Sequence, residues 1–378
     1  MKPNNMPAPP EDISDETPPP SVWLVTGYRA GENVQILALA EALGWPFTVK
    51  RLVYRHHDFV PGLLRLSSLM GIDRERSSPL TPPWPDLIIS AGMRNEPVCR
   101  WIKAQSGGKS RIVLLGRHWA QLRHFDLVVT TPQYRLPHAP RILHNTTTLH
   151  RVTDALLQEA AAGHAQNLRS LPQPYIAVVM GGNSGPYTLG RHAARRLARQ
   201  SCELAQSQGG SLLVTTSART PPSAIEAFAS AVDCPMQLYR WKPDDPANPY
   251  YAYLGLARAI IVTGDSIAML SEACATGKPV YIFDLGTGQD AMRWPSATLP
   301  ARAASEEETD FRLGAFLYKM LMRFGHQRLT RDIRLVHRQL IASGQAVWLG
   351  DEKSPSPQQT VPDSIRCTVE RVRSLLGR

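Results

Sequence analysis

Cysteine is scarce in this chain: Cys99, Cys202, Cys234, Cys274 and Cys367 are odd in number, far apart and without a C-x-x-C spacing. That pattern indicates neither a disulfide framework nor a zinc site, and a reducing cytoplasm suits it best. Long apolar runs are missing as well; with no stretch of about 18 uninterrupted apolar residues, nothing is expected to span a bilayer. Residues 1–20 hold Pro, Asn and acidic side chains without the basic and apolar regions of a signal peptide, so they read as a disordered tail of a cytoplasmic protein. The glycine loop Gly181 to Gly185 is not followed by G-K-[ST], so it is not a P-loop. Basic residues are not interleaved with aromatics as a nucleic-acid platform requires, so no nucleic acid is expected as a partner. Asp244-Asp245 lies in a Pro-flanked turn segment with no apolar strand before it, unlike a metal-binding D-x-D, and the adjacent side chains of His56-His57-Asp58 diverge. Neither a metal nor a cofactor is expected.

What is present is an ordinary globular composition, 43% hydrophobic and 20% charged, in 378 residues with a net charge of +10. That length exceeds the usual limit of a single core and points to two domains. The charge implies attraction to anions, and nucleic acid, nucleotide phosphates or an anionic membrane surface on which the chain would sit peripherally each satisfy it equally well.

Short apolar runs alternate with helical stretches. Residues 21–26, 86–90, 111–115 and 126–130 read as strands of one series, and 175–180, 211–216, 259–263 and 279–283 as strands of a second. Such alternation predicts parallel sheets covered on both faces. The pattern lapses at Gly163 to Asn167 and Leu171-Pro172-Gln173-Pro174. This divides the chain into a tail (1–20), a first Rossmann-like domain (21–168) offering an acceptor site, a second (169–300) for a nucleotide sugar, and a helical C-terminal segment (301–378) packing back across both. Within that segment 309–343 reads as helical and Ser354 to Pro362 as a polar linker.

The richest segment is Val262 to Val280: strand, tight turn at Gly264-Asp265-Ser266, helix, glycine stop at Gly277, strand. A helix N-terminus at the carboxyl edge of a parallel sheet is a phosphate seat. Met269 lies in its first turn, and Glu272 is spaced to meet a ribose; the bland alternative is that Asp265 and Ser266 merely cap the helix and Glu272 is solvated. On the functional reading, Glu272→Ala is expected to weaken nucleotide binding and leave stability nearly unchanged. The loop Gly181-Gly182-Asn183-Ser184-Gly185 permits close backbone approach to a ligand, a plain tight turn being its alternative. Ser217 and Arg219 are expected in the same crevice, Arg219 facing a pyrophosphate. In the first domain Gly27-Tyr28-Arg29-Ala30-Gly31-Glu32-Asn33 makes another strand-to-helix turn. Gly31, Arg94 and Arg117 are candidate acceptor contacts, and Glu32 and His118 candidate general bases, with no preference between them.

The Ser271-Glu272 and Gly277-x-Pro279 core resembles the nucleotide-binding motif of GT-B glycosyltransferases, notably the lipid-linked N-acetylglucosaminyl transferases of wall synthesis, in which the Glu binds the ribose. The wider run, from Val22 to Asn33 through Gly181 to Gly185 to Thr263-Gly264-Asp265-Ser266, resembles the mitochondrial fission ELM1 family over about residues 20 to 345. That family is named for a plant protein of mitochondrial fission, and its bacterial members are regarded as glycosyltransferases, some linked to surface-polysaccharide assembly. The resemblance implies a GT-B-like α/β fold, two Rossmann-like domains with parallel sheets facing a central cleft. It also implies transfer of a sugar from a nucleotide-diphosphate sugar to a cell-envelope glycan or lipid-linked acceptor without metal. A non-catalytic, membrane-peripheral adaptor and a sugar-nucleotide epimerase on the same fold are the alternatives. The first-domain loop lacks the longer glycine cluster and histidine of the wall-synthesis enzymes, so their acceptor and base residues do not carry over.

Overall fold

The computed structural model describes residues 18–55, 67–293, 310–351 and 363–378. The expected disordered tail up to residue 17, the His56-His57-Asp58 cluster and the polar linker from Ser354 to Pro362 lie outside the described residues.

Two six-stranded, wholly parallel sheets carry the architecture. The first contains β1 (Val22–Thr26), β2 (Phe47–Arg51), β3 (Leu87–Ala91), β4 (Arg111–Leu115), β5 (Leu127–Thr130) and β6 (Ile142–His144), in the order β2-β1-β3-β4-β5-β6. The second contains β7 (Tyr175–Val179), β8 (Ser211–Thr215), β9 (Met236–Tyr239), β10 (Ala259–Thr263), β11 (Val280–Phe283) and β12 (Ala346–Trp348), in the order β12-β11-β10-β7-β8-β9. Each order reverses direction beside the strand that opens its unit: β1 lies between β2 and β3, and β7 between β10 and β8. At such a switch point the loops leaving two adjacent strands diverge and leave a crevice at the carboxyl edge. Helices α1 (Ala30–Leu43) and α2 (Glu96–Gln105) cover the first sheet. The second is served by α3 (Asp154–His164), α4 (Arg191–Gln206), α5 (Pro222–Ala229), α6 (Tyr250–Leu256) and α7 (Ile267–Ala275), followed by α8 (Leu313–Phe324), α9 (Arg334–Ala342) and α10 (Ser364–Leu375). This is the expected α/β class, two parallel sheets with helices, followed by a helical C-terminus.

Interior strands such as β1, β3, β7, β8 and β10 are buried at every position, as strands covered on both faces must be. The core of the second sheet begins earlier than the expected residue 169, since Val152, Leu157 and Leu168 already belong to it. The cause is α3, which crosses α6 so closely that a methyl group on Gly255 would stand 2.6 Å from the Leu157 carbonyl oxygen. The last helix returns to the first sheet: Val372 is buried among α1 and strand residues, and Asn145 Nδ2 donates to Thr368 Oγ1 at 3.0 Å.

The cysteine expectation is corrected. Cys202 on α4 and Cys234 in the loop entering β9 form a disulfide with Cα atoms 5.7 Å apart, while Cys99, Cys274 and Cys367 are free. The partners sit on different elements 32 residues apart, so chain spacing carries no sign of the pair. Titration of the unfolded chain with a thiol reagent is expected to count three thiols without reductant and five after reduction; five in both would mean that the pair is not bonded in solution.

Candidate functional site

At the carboxyl edge of the second sheet, a buried carboxylate organises the loops. The Asp265 side chain is fully enclosed; its Oδ2 accepts from Gly182 N at 2.9 Å and from Arg219 Nη2 at 3.2 Å, and its Oδ1 from Thr263 Oγ1 at 2.7 Å. Thr263 Oγ1 in turn accepts from Gly181 N at 2.7 Å. Burial raises the Asp265 pKa, opposed by Arg219 and these hydrogen bonds. The amides of Gly181 and Gly182 are therefore engaged by the protein itself instead of facing a ligand. A side chain at Gly181 would collide with the Asp265 carboxylate, and one at Gly182 with the Arg219 carbonyl. Internal packing, which a sequence cannot display, accounts for these glycines.

The remaining loop residues follow the same logic. Asn183 Oδ1 accepts from Leu189 N at 2.9 Å, and Ser217 Oγ donates to the Gly181 carbonyl at 2.8 Å. Ser184 Oγ accepts from Arg331 Nη2 at 2.6 Å. Arg219 keeps about half of its side chain exposed while its guanidinium donates from Nη2 to Asp265 and from Nη1 to the Asn183 carbonyl at 3.5 Å.

The turn into α7 differs from the capping alternative. Ser266 occupies the N-cap position without a side-chain hydrogen bond to the helix, and Asp265 is turned inward. The first-turn amides of Ile267, Ala268 and Met269 thus have no side-chain cap, and Ala268 and Met269 are partly exposed. Gly264 is held from behind: its carbonyl accepts from His337 Nε2 on α9 at 2.7 Å. Burial lowers the His337 pKa to about 4, which keeps the ring neutral.

Glu272 is neither solvated nor freely presented. It is buried, and Tyr250 on α6 donates to its Oε2 at 2.6 Å. Burial raises its pKa to about 7 against the hydrogen bonds of Tyr250 and Tyr251. The expectation that Glu272→Ala leaves stability unchanged is therefore overturned, because truncation would leave a cavity and an unpaired buried hydroxyl. The neighbouring Ser271 holds the seam: its Oγ accepts from Thr148 N at 3.0 Å, in the segment leaving the first sheet.

At the first sheet's edge, Asn33 clamps the β1–α1 turn through Gly27, donating from Nδ2 to its carbonyl at 2.8 Å. Gly31 is exposed at the start of α1. Glu32 pairs with Arg29 at 3.1 Å and lies against Gly92, whose φ of +78° and lack of a side chain admit the carboxylate. Arg94 stacks over exposed Tyr28 at 5.2 Å. Glu32, Arg29, Tyr28 and Arg94 are joined by these contacts, with Gly31 next to Glu32 in the chain.

Arg117 and His118 have other partners. Buried Arg117 lies over the Tyr134 ring at 5.6 Å and donates from Nη1 to the Thr330 carbonyl at 2.8 Å, so it tethers the C-terminal segment instead of presenting itself as an acceptor contact. His118 is also buried; its Nδ1 lies 2.7 Å from the Ala120 carbonyl, leaving Nε2 as the basic atom, and burial lowers its pKa. The loop beneath is held by Glu96, which accepts from Trp119 N at 2.5 Å and Ala120 N at 2.9 Å; burial lifts its pKa to about 7.

The sequence showed no role for Tyr250, Arg331, His337 and Glu96, nor for Thr263 beyond its place in the Thr263-Gly264-Asp265-Ser266 run. Each lies on an apolar strand, on a helix or in the C-terminal segment, without a motif of its own. Tyr250 and Tyr251 open α6 as a pair of adjacent aromatics, the one local signal available.

A family model described as mitochondrial fission ELM1 matches residues 30–307. The chain belongs to the mitochondrial fission ELM1 family. The Arabidopsis thaliana mitochondrial fission protein ELM1 is 26% identical over 235 residues, covering 56% of this chain and 54% of the plant protein. The chain thus matches about half the length of that relative. An uncharacterized protein of Rickettsia prowazekii (strain Madrid E) is 24% identical over 296 residues, covering 70% of this chain and 83% of its own. Among solved structures, the UDP-GlcNAc 2-epimerase from Neisseria meningitidis bound to UDP-GlcNAc overlaps with a TM-score of 0.47 at 12% identity, covering 94% of this ELM1-family chain and 100% of its own. Acinetobacter baumannii MurG does so with 0.40 at 12%, over 94% and 100%. Overlap this loose says nothing about chemistry.

The raised Glu272 pKa has a defined sign. The folded state holds this proton more tightly than the unfolded chain, whose carboxyl titrates near 4.5, so the buried charge lowers stability as pH rises from about 4.5 to 7. Glu272→Gln is expected to be more stable than the wild type at pH 8, by on the order of 2–3 kcal/mol, with the advantage gone near pH 4.5. Paired denaturant titrations at the two pH values test this; an equal difference at both would mean that Glu272 ionises freely.

Proposed function

We propose that this chain is a sugar-nucleotide enzyme, a GT-B glycosyltransferase that moves a sugar from a nucleotide-diphosphate sugar to a cell-envelope glycan or lipid-linked acceptor. The observation that carries the reading is the uncapped N-terminus of α7, opening at the carboxyl edge of the second sheet beside the half-exposed Arg219. Backbone amides and a half-exposed guanidinium there suit a pyrophosphate, and would stabilise the charge that develops on it as a leaving group. Glu272, one to two turns along α7, supplies the carboxylate for a ribose, with Tyr250 exchanging its hydrogen bond for the sugar hydroxyls. The reaction is proposed to run without metal, since Asp245 is engaged by Tyr239 Oη at 2.7 Å and Ala247 N at 2.9 Å and makes no open pair with Asp244.

In this proposal the acceptor lies against the first-domain group of Gly31, Glu32, Tyr28 and Arg94. Proton removal falls to Glu32 or to Nε2 of His118; a pH profile whose acidic limb disappears in His118→Gln identifies the histidine. Cytoplasmic placement is part of the same reading; among the described residues no helix is long and apolar enough to cross a membrane.

A second reading, a non-catalytic adaptor, is favoured by the self-satisfied glycine loop, whose Gly181 and Gly182 amides are already spent on Thr263 and Asp265. An epimerase would share the donor seat and differ in releasing an isomerised sugar nucleotide.

The two classes part on nucleotide binding. Thermal unfolding in the presence of UDP, GDP, CMP, ADP and their sugar conjugates is expected to shift upward for one diphosphate series. Ala268→Asp places a negative charge in the first turn of α7, where it favours the helix and repels a phosphate. This variant is expected to keep its stability and lose the shift. No shift for any nucleotide in the wild type would assign the chain to the adaptor class.

A further inference from the structure

Helix α8 is built the wrong way round for a globular protein. An amphipathic helix normally turns its apolar stripe to the core. Here Leu313, Phe316, Leu317, Met320 and Phe324 follow the i, i+3, i+4, i+7, i+11 spacing of one face, and all five are exposed, Phe324 at 72% and Leu313 at 62%. Phe311, 79% exposed, and Leu329 extend the patch beyond both ends. The opposite face, not the apolar one, is anchored. Ala315 is buried, Tyr318 Oη accepts from Arg331 N at 2.8 Å, and Lys319 Nζ meets Asp290 at 2.5 Å. Arg312 Nη2, in the N-cap residue, donates to the Gly185 carbonyl at 2.7 Å. The exposed stripe is therefore the outer surface of a seated helix, close to the glycine loop of the candidate site.

Charge identifies what covers it. From Phe311 to Arg331 the chain holds five cations, Arg312, Lys319, Arg323, Arg328 and Arg331, and no carboxylate; Glu306, Glu307, Glu308 and Asp310 precede them in the chain, and Asp310 is spent on the His192 and Ala193 amides that open α4. Arg323 and Arg328 are exposed beside the stripe. A second copy of the chain docked symmetrically here would oppose two like-charged surfaces, an arrangement that costs energy. A bilayer with anionic headgroups satisfies both features at once: acyl chains for the phenylalanines and aliphatic side chains, phosphates for the arginines.

We infer that α8 is an interfacial helix that lays its Leu313–Phe316–Leu317–Met320–Phe324 face into the headgroup and acyl boundary of an anionic membrane, with Arg323 and Arg328 on the lipid phosphates. The docking itself depends on no step of sugar transfer. Combined with the proposed function, it holds the glycine loop next to the bilayer and makes the acceptor lipid-linked.

The test is co-sedimentation of the full chain with vesicles of phosphatidylcholine alone and of phosphatidylcholine with phosphatidylglycerol, at low and high salt. The wild type is expected to bind the anionic vesicles and to lose affinity with salt. The double variant Leu317→Glu, Phe324→Glu is expected to bind roughly ten-fold or more weakly with an unchanged thermal transition. Arg323→Glu with Arg328→Glu is expected to lose the preference for anionic lipid. Both variants are expected to keep whatever nucleotide-induced stabilisation the wild type shows, so that failure of the donor site and failure of the docking face are read separately. The inference is overturned if the wild type ignores anionic vesicles, if Leu317→Glu, Phe324→Glu binds as well as the wild type, or if these substitutions abolish a concentration-dependent dimer instead of vesicle binding.

Discussion

The buried carboxylate of Asp265 is the constraint on which the second domain's working edge depends. A charge enclosed among strands is tolerated only with partners on every side, and Asp265 finds them in the Gly182 amide, the Thr263 hydroxyl and the Arg219 guanidinium. Those partners lie in the loops that follow β7 and β8 and at the end of β10, so a single side chain draws its own loop and two others together. Its inward turn also leaves the first turn of α7 uncapped and holds the half-exposed Arg219 beside it. The features that make the edge suited to an anion are by-products of satisfying one buried acid.

A second constraint joins the halves of the molecule. The segment from Thr330 to Arg334 touches both sheets' loops: the Thr330 carbonyl accepts from Arg117, Arg331 reaches Ser184, and Asp332 is paired with Arg135 and Arg334. Against the cost of burial, Arg334 and Arg135 hold the Asp332 carboxyl below its usual range, which marks the pairing as favourable in place. Just beyond, His337 supports the Gly264 turn from behind. Loop position at the candidate site is thus set partly by a stretch more than sixty residues further along the chain. The same stretch seats α8 and so presents its apolar face outward.

Legibility in the sequence divided along a physical line. Eight strands were readable, and all eight are interior in their sheets. The four that were missed, β2, β6, β9 and β12, are the four edges. Interior parallel strands are covered on both faces and appear as continuous apolar runs. An edge strand such as Phe47–Arg51, mostly exposed, needs no such run. The site divided likewise. Turns at Gly27 to Asn33, Gly181 to Gly185 and Gly264 to Ser266 stand out because glycine and short polar residues punctuate apolar strands. Which way each polar side chain turns does not: Asp265 inward, Ser266 without a capping bond, Glu272 against Tyr250, Arg117 onto Thr330.

Composition, periodicity and turn chemistry are local properties, and they alone determined that this chain builds two parallel α/β sheets with loops of possible consequence at their carboxyl edges. The pairing of Cys202 with Cys234, the engagement of the glycine amides, the buried state of Glu272 and the outward face of α8 join or expose residues that the chain keeps apart. Only the tertiary structure decided them, because hydrogen bonding, burial and exposure are settled by what packs against a residue and not by what precedes it.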